Sequence, residues 1–450
     1  MMSKVKKFLV LIISIVMVAT CLPMDAYAAE GPDVPCKSAI IYCGDTDEII
    51  WQKNANKKMD PASTTKLLTC LIAVETLDLD HKVTITSGAY MPETNIDLVE
   101  GEEITVENLL YGMMLHSGND AANALAIEMS GSVSKFSKLM NQKAKALGCT
   151  KSNFVNPSGW QNDKHYSTAK DMALITKAAL ENPTVRKISG TASYTIPATN
   201  KSGERKLSNF NFFLEGIDKK VGDSTIKVKK YEGVFGGKTG TVGKNKNTLA
   251  IGLDCNGLEV YCVTLGSSTV AQRYKDMKEV LDYAKSVINK HSEFEKGHSF
   301  GKVKLKGGAK NKVKAIAEKN GYINLPEGAS ASLVTTETVF SDNLQAPIKK
   351  GQKVGAAEIY LAGELVKSVD LVAEEEIAEG WFLSRFGISN LQTIILIVLL
   401  TLFITLVITI ICLRISNKRK AQRIRQAKLE EAARRQMEIE RDKKARNWTF

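Results

Sequence analysis

Apolar and polar positions change their spacing several times along this chain, and each change marks an element. Residues 38–52 follow a strand pattern on either side of Gly44-Asp45, which predicts a strand pair closed by a turn. A helix opens near Pro61-Ala62-Ser63, and its apolar face continues through Leu67, Leu68, Leu71, Ile72 and Val74. Helical spacing recurs over residues 106–115, 120–129, 134–147 and 168–180, the last with Ser167 or Thr168 as N-cap and Asp171 in the first turn. After residue 189 the pattern turns to strands. Residues 234–239 precede a hairpin of 248–255 and 258–266 about Asn256-Gly257, and a helix over 273–288 closes the region. Strands from both ends around a helical middle predict an α/β fold of the α+β kind, an antiparallel sheet packed by helices. Residues 297–372 are Lys- and Gly-rich, with strand patterns at 302–305, 330–335, 356–361 and 365–371, and predict a small β-rich second domain spanning 297–376.

Two apolar stretches stand apart from this pattern. Lys4, Lys6 and Lys7 precede an apolar run over 8–20, followed by Pro23 and Ala26-Tyr27-Ala28. That is the form of a secretory signal peptide over 1–28, cleaved after Ala28. An uncleaved anchor is the alternative; lipid modification at Cys21 is a third, which Thr20 disfavours because such sites take a smaller residue. Residues 394–413 carry no charge and are long enough to cross a hydrocarbon core, within a span drawn at 392–413. Arg414, Lys418, Arg419, Lys420, Arg423 and Arg425 follow, and positive residues stay on the cytoplasmic side. The expected topology is a single pass with residues 29–390 outside the cell membrane and a basic tail, 414–450, inside.

Composition adds little beyond this. Of 450 residues, 44% are hydrophobic and 24% charged, as in globular protein with a membrane segment. The net charge of +12 is concentrated in the tail, where 13 Lys or Arg against 5 Asp or Glu leave +8. This charge suits anionic lipid headgroups; no interleaved aromatic or Gly-rich pattern supports nucleic-acid binding, so nucleic acid is not an expected partner. Hairpin register sets Cys255 against Leu258 and Cys262 against Ile251, so these two cysteines do not face each other. No cysteine spacing suggests a metal site, and no cofactor is expected.

Three short motifs carry candidate chemistry: Ser63-Thr64-Thr65-Lys66, Ser117-Gly118-Asn119 and Lys238-Thr239-Gly240. Each is weak alone. Ser-x-x-Lys recurs, for example, at Ser3, Ser132 and Ser167, and Ser341-Asp342-Asn343 is a rival second motif. Order and context discriminate. Ser63 and Lys66 lie one turn apart at a helix start, where the amine can reach the hydroxyl as a base if a nearby cation (Lys238) and burial keep it neutral. Ser117-Gly118-Asn119 interrupts two helical patterns and so is a loop able to project a hydroxyl and an amide. Lys238-Thr239-Gly240 follows Gly236-Gly237 on a strand where a ligand backbone can lie close. Ser341 lies in the second domain, and Ser167-Thr168-Ala169-Lys170 is an N-capped helix start.

With these motifs in this order, the chain resembles the low-molecular-mass penicillin-binding proteins of the D-alanyl-D-alanine carboxypeptidase family, over most of residues 38–372. The resemblance implies a penicillin-binding/β-lactamase-like catalytic domain over 29–292. Its substrate would be a peptidoglycan stem peptide ending in D-Ala-D-Ala, and β-lactams would inhibit it. It implies Ser63 as nucleophile, Lys66 as its base and Ser117 as proton relay to the departing D-alanine. Asn119 would hold the substrate amide, Lys238, Thr239 and Gly240 the end bearing the carboxylate, and the amides of Ser63 and Thr241 an oxyanion hole. The chain departs from the family at Thr241-Val242-Gly243-Lys244-Asn245-Lys246-Asn247, in a long basic segment over 219–230, and in a true span where an amphipathic anchoring helix is usual. A class A β-lactamase would add a glutamate after the second motif, and residues 156–171 contain none. A non-enzymatic receptor signalling through the tail is a further alternative.

Overall fold

The computed structural model describes residues 31–221, 224–243 and 246–446; the leader at 1–28 lies outside the described residues. The chain divides into two compact units, Met1–Ser292 with Tyr322–Ser332, and Glu293–Gly321 with Leu333–Phe450.

In the first unit, β1 (Ser38–Cys43), β2 (Glu48–Lys53), β3 (Val234–Thr241), β4 (Asn247–Cys255) and β5 (Leu258–Ser267) form one antiparallel sheet in the order β2-β1-β5-β4-β3. Chain ends and chain middle thus meet at β1 and β5. All six residues of β1 are buried, because the sheet is covered on both faces. Ile40, Tyr42, Ala250, Tyr261 and Val263 face one core, and Ala39, Ile41, Ile251, Val260 and Cys262 face the other. This alternation follows the two-residue period of a strand.

The first core holds α1 (Lys66–Thr76), α2 (Val106–Leu115), α3 (Asn119–Ser130), α4 (Val133–Ala146), α5 (Ala169–Glu181) and α6 (Pro183–Gly190). Thr168 caps α5, its side chain accepting from Asp171 N at 3.0 Å. Helix α6 was not anticipated, although Asn182 caps it and Pro183 occupies its first turn. The second core is closed by α7 (Val270–Val287). Asn256 and Gly257 both take positive φ (54° and 82°), the conformation their hairpin requires, and Cys255 pairs with Leu258 and Cys262 with Ile251 as expected. Cys36, Cys43, Cys70, Cys149, Cys255 and Cys262 are all buried free thiols. The basic segment forms a two-stranded hairpin, Ile217–Val221 with Ser224–Val228.

The second unit contains an antiparallel sheet of β6 (Ser299–Lys304), β7 (Lys312–Ala317), β8 (Val334–Phe340), β9 (Lys353–Leu361) and β10 (Glu364–Ala373), ordered β6-β7-β10-β9-β8. Strand β7 went unanticipated although Val313, Ala315 and Ala317 alternate inward. Strand β8 begins later than expected because Ala331–Leu333 is a 3-10 turn. Helix α8 (Asn390–Arg446) is a single element of 57 residues, about 85 Å long at 1.5 Å per residue. Its apolar part is long enough to cross a membrane.

Candidate active site

The site begins with a strained turn. Pro61 is followed by Ala62 at φ +48°, a left-handed conformation unusual for a residue with a side chain. A 3-10 turn, Ala62–Thr65, then leads into α1. Neighbours hold it: Ala62 N donates to Asp60 Oδ1 at 3.0 Å, and Thr248 Oγ1 on β4 donates to Pro61 O at 3.1 Å. From the loop over residues 156–160, Gly159 packs so tightly that a Cβ there would lie 1.8 Å from Ala62 O. Asn156 Oδ1 organises that loop by accepting from the backbone amides of Ser158, Gly159 and Trp160.

Lys66 is wholly buried behind Ser63. Its Nζ lies 2.9 Å from Ser63 Oγ, 2.8 Å from Asn119 Oδ1 and 2.9 Å from Ser158 O. Burial first, and then the charge of Lys238, push its pKa well below the ordinary lysine value, against a smaller opposing pull from Asp120. The Asn119 and Ser158 oxygens can only accept hydrogen bonds. A neutral amine gives its two hydrogens to them and turns its lone pair to the Ser63 hydroxyl. The three partners thus suit an amine that takes a proton from Ser63.

Ser117 takes φ +65° between α2 and α3 and lines a cavity of about 500 Å³ together with Ser63, Thr239, Gly240, Thr241 and Arg273. Asn119 is the first residue of α3, and its amide engages Lys66 and, through Nδ2, Pro92 O at 3.3 Å. Asp120, not singled out from sequence, fixes this turn by accepting from the amides of Ile96 and Leu98.

Strand β3 forms the opposite wall. Its glycines make room chiefly for protein neighbours: a Cβ on Gly236 would meet Ser189 Oγ at 2.6 Å, one on Gly237 Ala250 O at 2.3 Å, and one on Gly240 Ser63 N at 2.9 Å. The missing Cβ atoms thus serve internal packing, while Gly240 also lines the cavity. Gly240 brings β3 against the Ser63 turn. Lys238 is buried, donates to Thr239 O at 3.1 Å and stands behind the cavity lining. Burial and the charge of Arg273 lower its pKa to about 7.

Arg273, in the first turns of α7, was missed as a site residue. Four per cent exposed, it donates to Gly240 O at 3.1 Å and Thr241 Oγ1 at 3.3 Å, while its Nε has no partner among the described residues. No carboxylate forms an ion pair with Lys66, Lys238 or Arg273 among the described residues. Lys66 is the neutral base, but Arg273 is a buried cation with no carboxylate partner among the described residues, and with Lys238 behind it beside an open cavity it makes a receptor for an anion. Only the fold, which brings the start of α7 to the end of β3, distinguishes Arg273 from the other arginines. The two rival motifs contribute nothing here: Ser341 belongs to the other unit, and Ser167 Oγ bonds Ser152 Oγ beneath α5.

Residues 25–269 match the family model described as D-alanyl-D-alanine carboxypeptidase, more than half of the chain. The chain belongs to the D-alanyl-D-alanine carboxypeptidase family. This family assignment extends beyond the catalytic region, since residues 289–379 match the C-terminal domain of penicillin-binding protein 5. The D-alanyl-D-alanine carboxypeptidase DacF of Bacillus subtilis is 32% identical over 356 residues, covering 77% of this chain and 87% of the relative. DacC of Escherichia coli is 27% identical over 380 residues, covering 80% and 90%. Among solved structures, penicillin-binding protein 5 from Haemophilus influenzae superposes with a TM-score of 0.62 at 27% identity, covering 77% of this chain and 99% of that one. This carboxypeptidase therefore has the penicillin-binding protein 5 fold, with a β-rich second unit and a C-terminal apolar helix.

Proposed function

We propose that this serine peptidase removes the terminal D-alanine from peptidoglycan stem peptides through an ester on Ser63, and that β-lactams acylate the same hydroxyl. The observation that carries this reading is the Lys66 amine, enclosed, short of protons and 2.9 Å from Ser63 Oγ. Lys66 takes the hydroxyl proton as Ser63 attacks the carbonyl of the penultimate D-alanine. Charge developing on that carbonyl oxygen is met by the amides of Ser63 and Thr241. The peptide C–N bond breaks as the proton passes by way of Ser117 to the amine of the leaving D-alanine. Water then hydrolyses the ester and restores Ser63. Thr239, Thr241 and Arg273 receive the substrate's terminal carboxylate, with Lys238 behind them supplying field. Asn119 divides its amide between Lys66 and the incoming peptide.

We assign the leader to export, residues 29–292 to the catalytic domain, 297–376 to the β-rich domain, 392–413 to a single membrane crossing and 414–450 to the cytoplasm. The uncharged stretch and the basic block behind it support this topology.

Mass spectrometry of the protein after exposure to penicillin tests the assignment. The expected adduct maps to the tryptic peptide carrying Ser63, and Ser63→Ala loses both the adduct and release of D-alanine from a synthetic stem peptide. Release that survives Ser63→Ala would make the nucleophile wrong. Because residues 156–171 offer no glutamate to activate water, and Ser158 O occupies Lys66 from that side, the penicillin adduct should persist. Rapid turnover of a chromogenic β-lactam would instead favour a β-lactamase. Deleting the tail after Arg414 should leave peptide release unchanged, as a signalling receptor would not require.

A further inference from the structure

The segment joining the β-rich unit to α8 exposes more aromatic surface than its length explains. Trp381, Phe382 and Phe386 are 53%, 70% and 72% exposed, although Phe382–Phe386 is an ordered 3-10 helix. Its other side is fastened down. Ser384 is buried and its carbonyl accepts from Gly307 N at 3.1 Å, while Gly380 N donates to Gly307 O at 2.8 Å. A Cβ on Gly380 would lie 2.4 Å from Gly308 O, so the segment sits directly on backbone. The same clamp reaches α8. Trp381 N donates to Asn390 Oδ1 at 2.9 Å, Asn390 N to Ala309 O at 3.0 Å, and Asn311 Nδ2 to Gly387 O and Gln392 Oε1 at 3.3 Å each.

Depth follows from the helix. The continuous apolar run starts at Ile394, four residues beyond Asn390, a rise of about 6 Å. Headgroup regions are roughly 5–8 Å thick on each side of the hydrocarbon. The aromatic segment is therefore held at headgroup depth whenever residues 394–413 cross a bilayer. Trp is enriched at that level, and Phe is used by surface-lying helices, because an apolar ring can enter the lipid while polar edges stay wet. Arg385, exposed on the same turn, can meet lipid phosphate.

We propose that Trp381, Phe382 and Phe386 form a lipid-embedded foot, by which the β-rich unit stands on the outer leaflet without a flexible tether. This rests on the membrane-crossing reading of α8, and the test separates the two. The full-length protein is placed in phosphatidylcholine–phosphatidylglycerol vesicles whose acyl chains are brominated at shallow or deep positions. Wild-type tryptophan emission should contain a component quenched best by shallow bromines and absent from Trp381→Phe. A Leu402→Trp reporter in the Trp381→Phe background should be quenched best by deep bromines. If the Leu402→Trp reporter is quenched but wild type and Trp381→Phe do not differ, the foot is refuted while the span stands, the outcome expected if a second copy of the chain covers the aromatics. If the Leu402→Trp reporter is not quenched, the span and the foot both fail.

Discussion

The Lys66 amine lies 2.9 Å from the Ser63 hydroxyl, one turn along the chain, and its enclosure, with Lys238 on strand β3 adding to it, depresses its pKa. Base strength and substrate binding are thereby assigned to two buried amines with opposite requirements. Lys66 must lose its proton to act, and Lys238 must keep its own to lend charge to the carboxylate receptor.

The rate of acylation by penicillin should accordingly follow a bell in pH. The rising limb is Lys66 losing its proton, far below pH 10. The falling limb is Lys238, whose pKa is lowered to about 7 by burial and Arg273. Lys238→Arg keeps its charge at every accessible pH and should move the falling limb upward. A wild-type rate that only climbs towards pH 10 would show Lys66 to be an ordinary lysine.

Arg273→Gln removes a buried charge that has no carboxylate partner among the described residues. A hydrogen bond to a charged group contributes about 1.5–3 kcal/mol, so kcat/KM for a peptide ending in a free carboxylate should fall about 10- to 100-fold. The C-terminal amide of the same peptide should lose little, and steady-state kinetics on the pair measures the difference. Equal losses on both peptides would place Arg273 outside carboxylate recognition.

Gly159 and Gly131 both take positive φ, at +77° and +72°, but only Gly159 is crowded. A Cβ at Gly131 meets nothing within 4 Å, whereas one at Gly159 lies 1.8 Å from Ala62 O. Gly131→Ala should cost about 1 kcal/mol from backbone conformation alone. Gly159→Ala should cost more than about 2 kcal/mol and slow acylation, because relief of the clash displaces the turn that carries Ser63. Thermal melts and acylation rates on both variants provide the comparison.

His165 is neutral in the fold. Val155 N donates to its Nδ1 at 3.2 Å, so Nε2 carries the hydrogen and donates to Thr65 Oγ1 at 2.9 Å. Burial, the larger cause, lowers its pKa to about 4. The unfolded chain then binds the extra proton first, so stability holds above about pH 6.5 and declines as pH falls towards 4, by roughly 3 kcal/mol from this residue. Melting curves across that range should show the decline, flattened in His165→Gln.

Much of this protein was legible along the chain. The helices over 106–115 and 168–180 announce themselves by apolar spacing and by Thr168 as a cap, and Asn256-Gly257 sets the register that keeps Cys255 and Cys262 apart. Ser63 and Lys66 were legible as a pair because one helical turn is a local geometry. Other features left signals too faint to act on, such as Asn182-Pro183 before α6 and the alternation in β7.

What sequence alone determined was the set of local arrangements: which segments could be helix or strand, and which hydroxyl stood one turn from which amine. Tertiary structure decided what surrounds them. It placed Arg273 against Gly240, turned the β3 glycines towards protein neighbours, and supplied Ser158 O and Asn119 Oδ1 to hold the Lys66 hydrogens. The reason is that proton affinity and anion binding depend on burial and on charges brought close from distant parts of the chain, and no spacing along the chain encodes either.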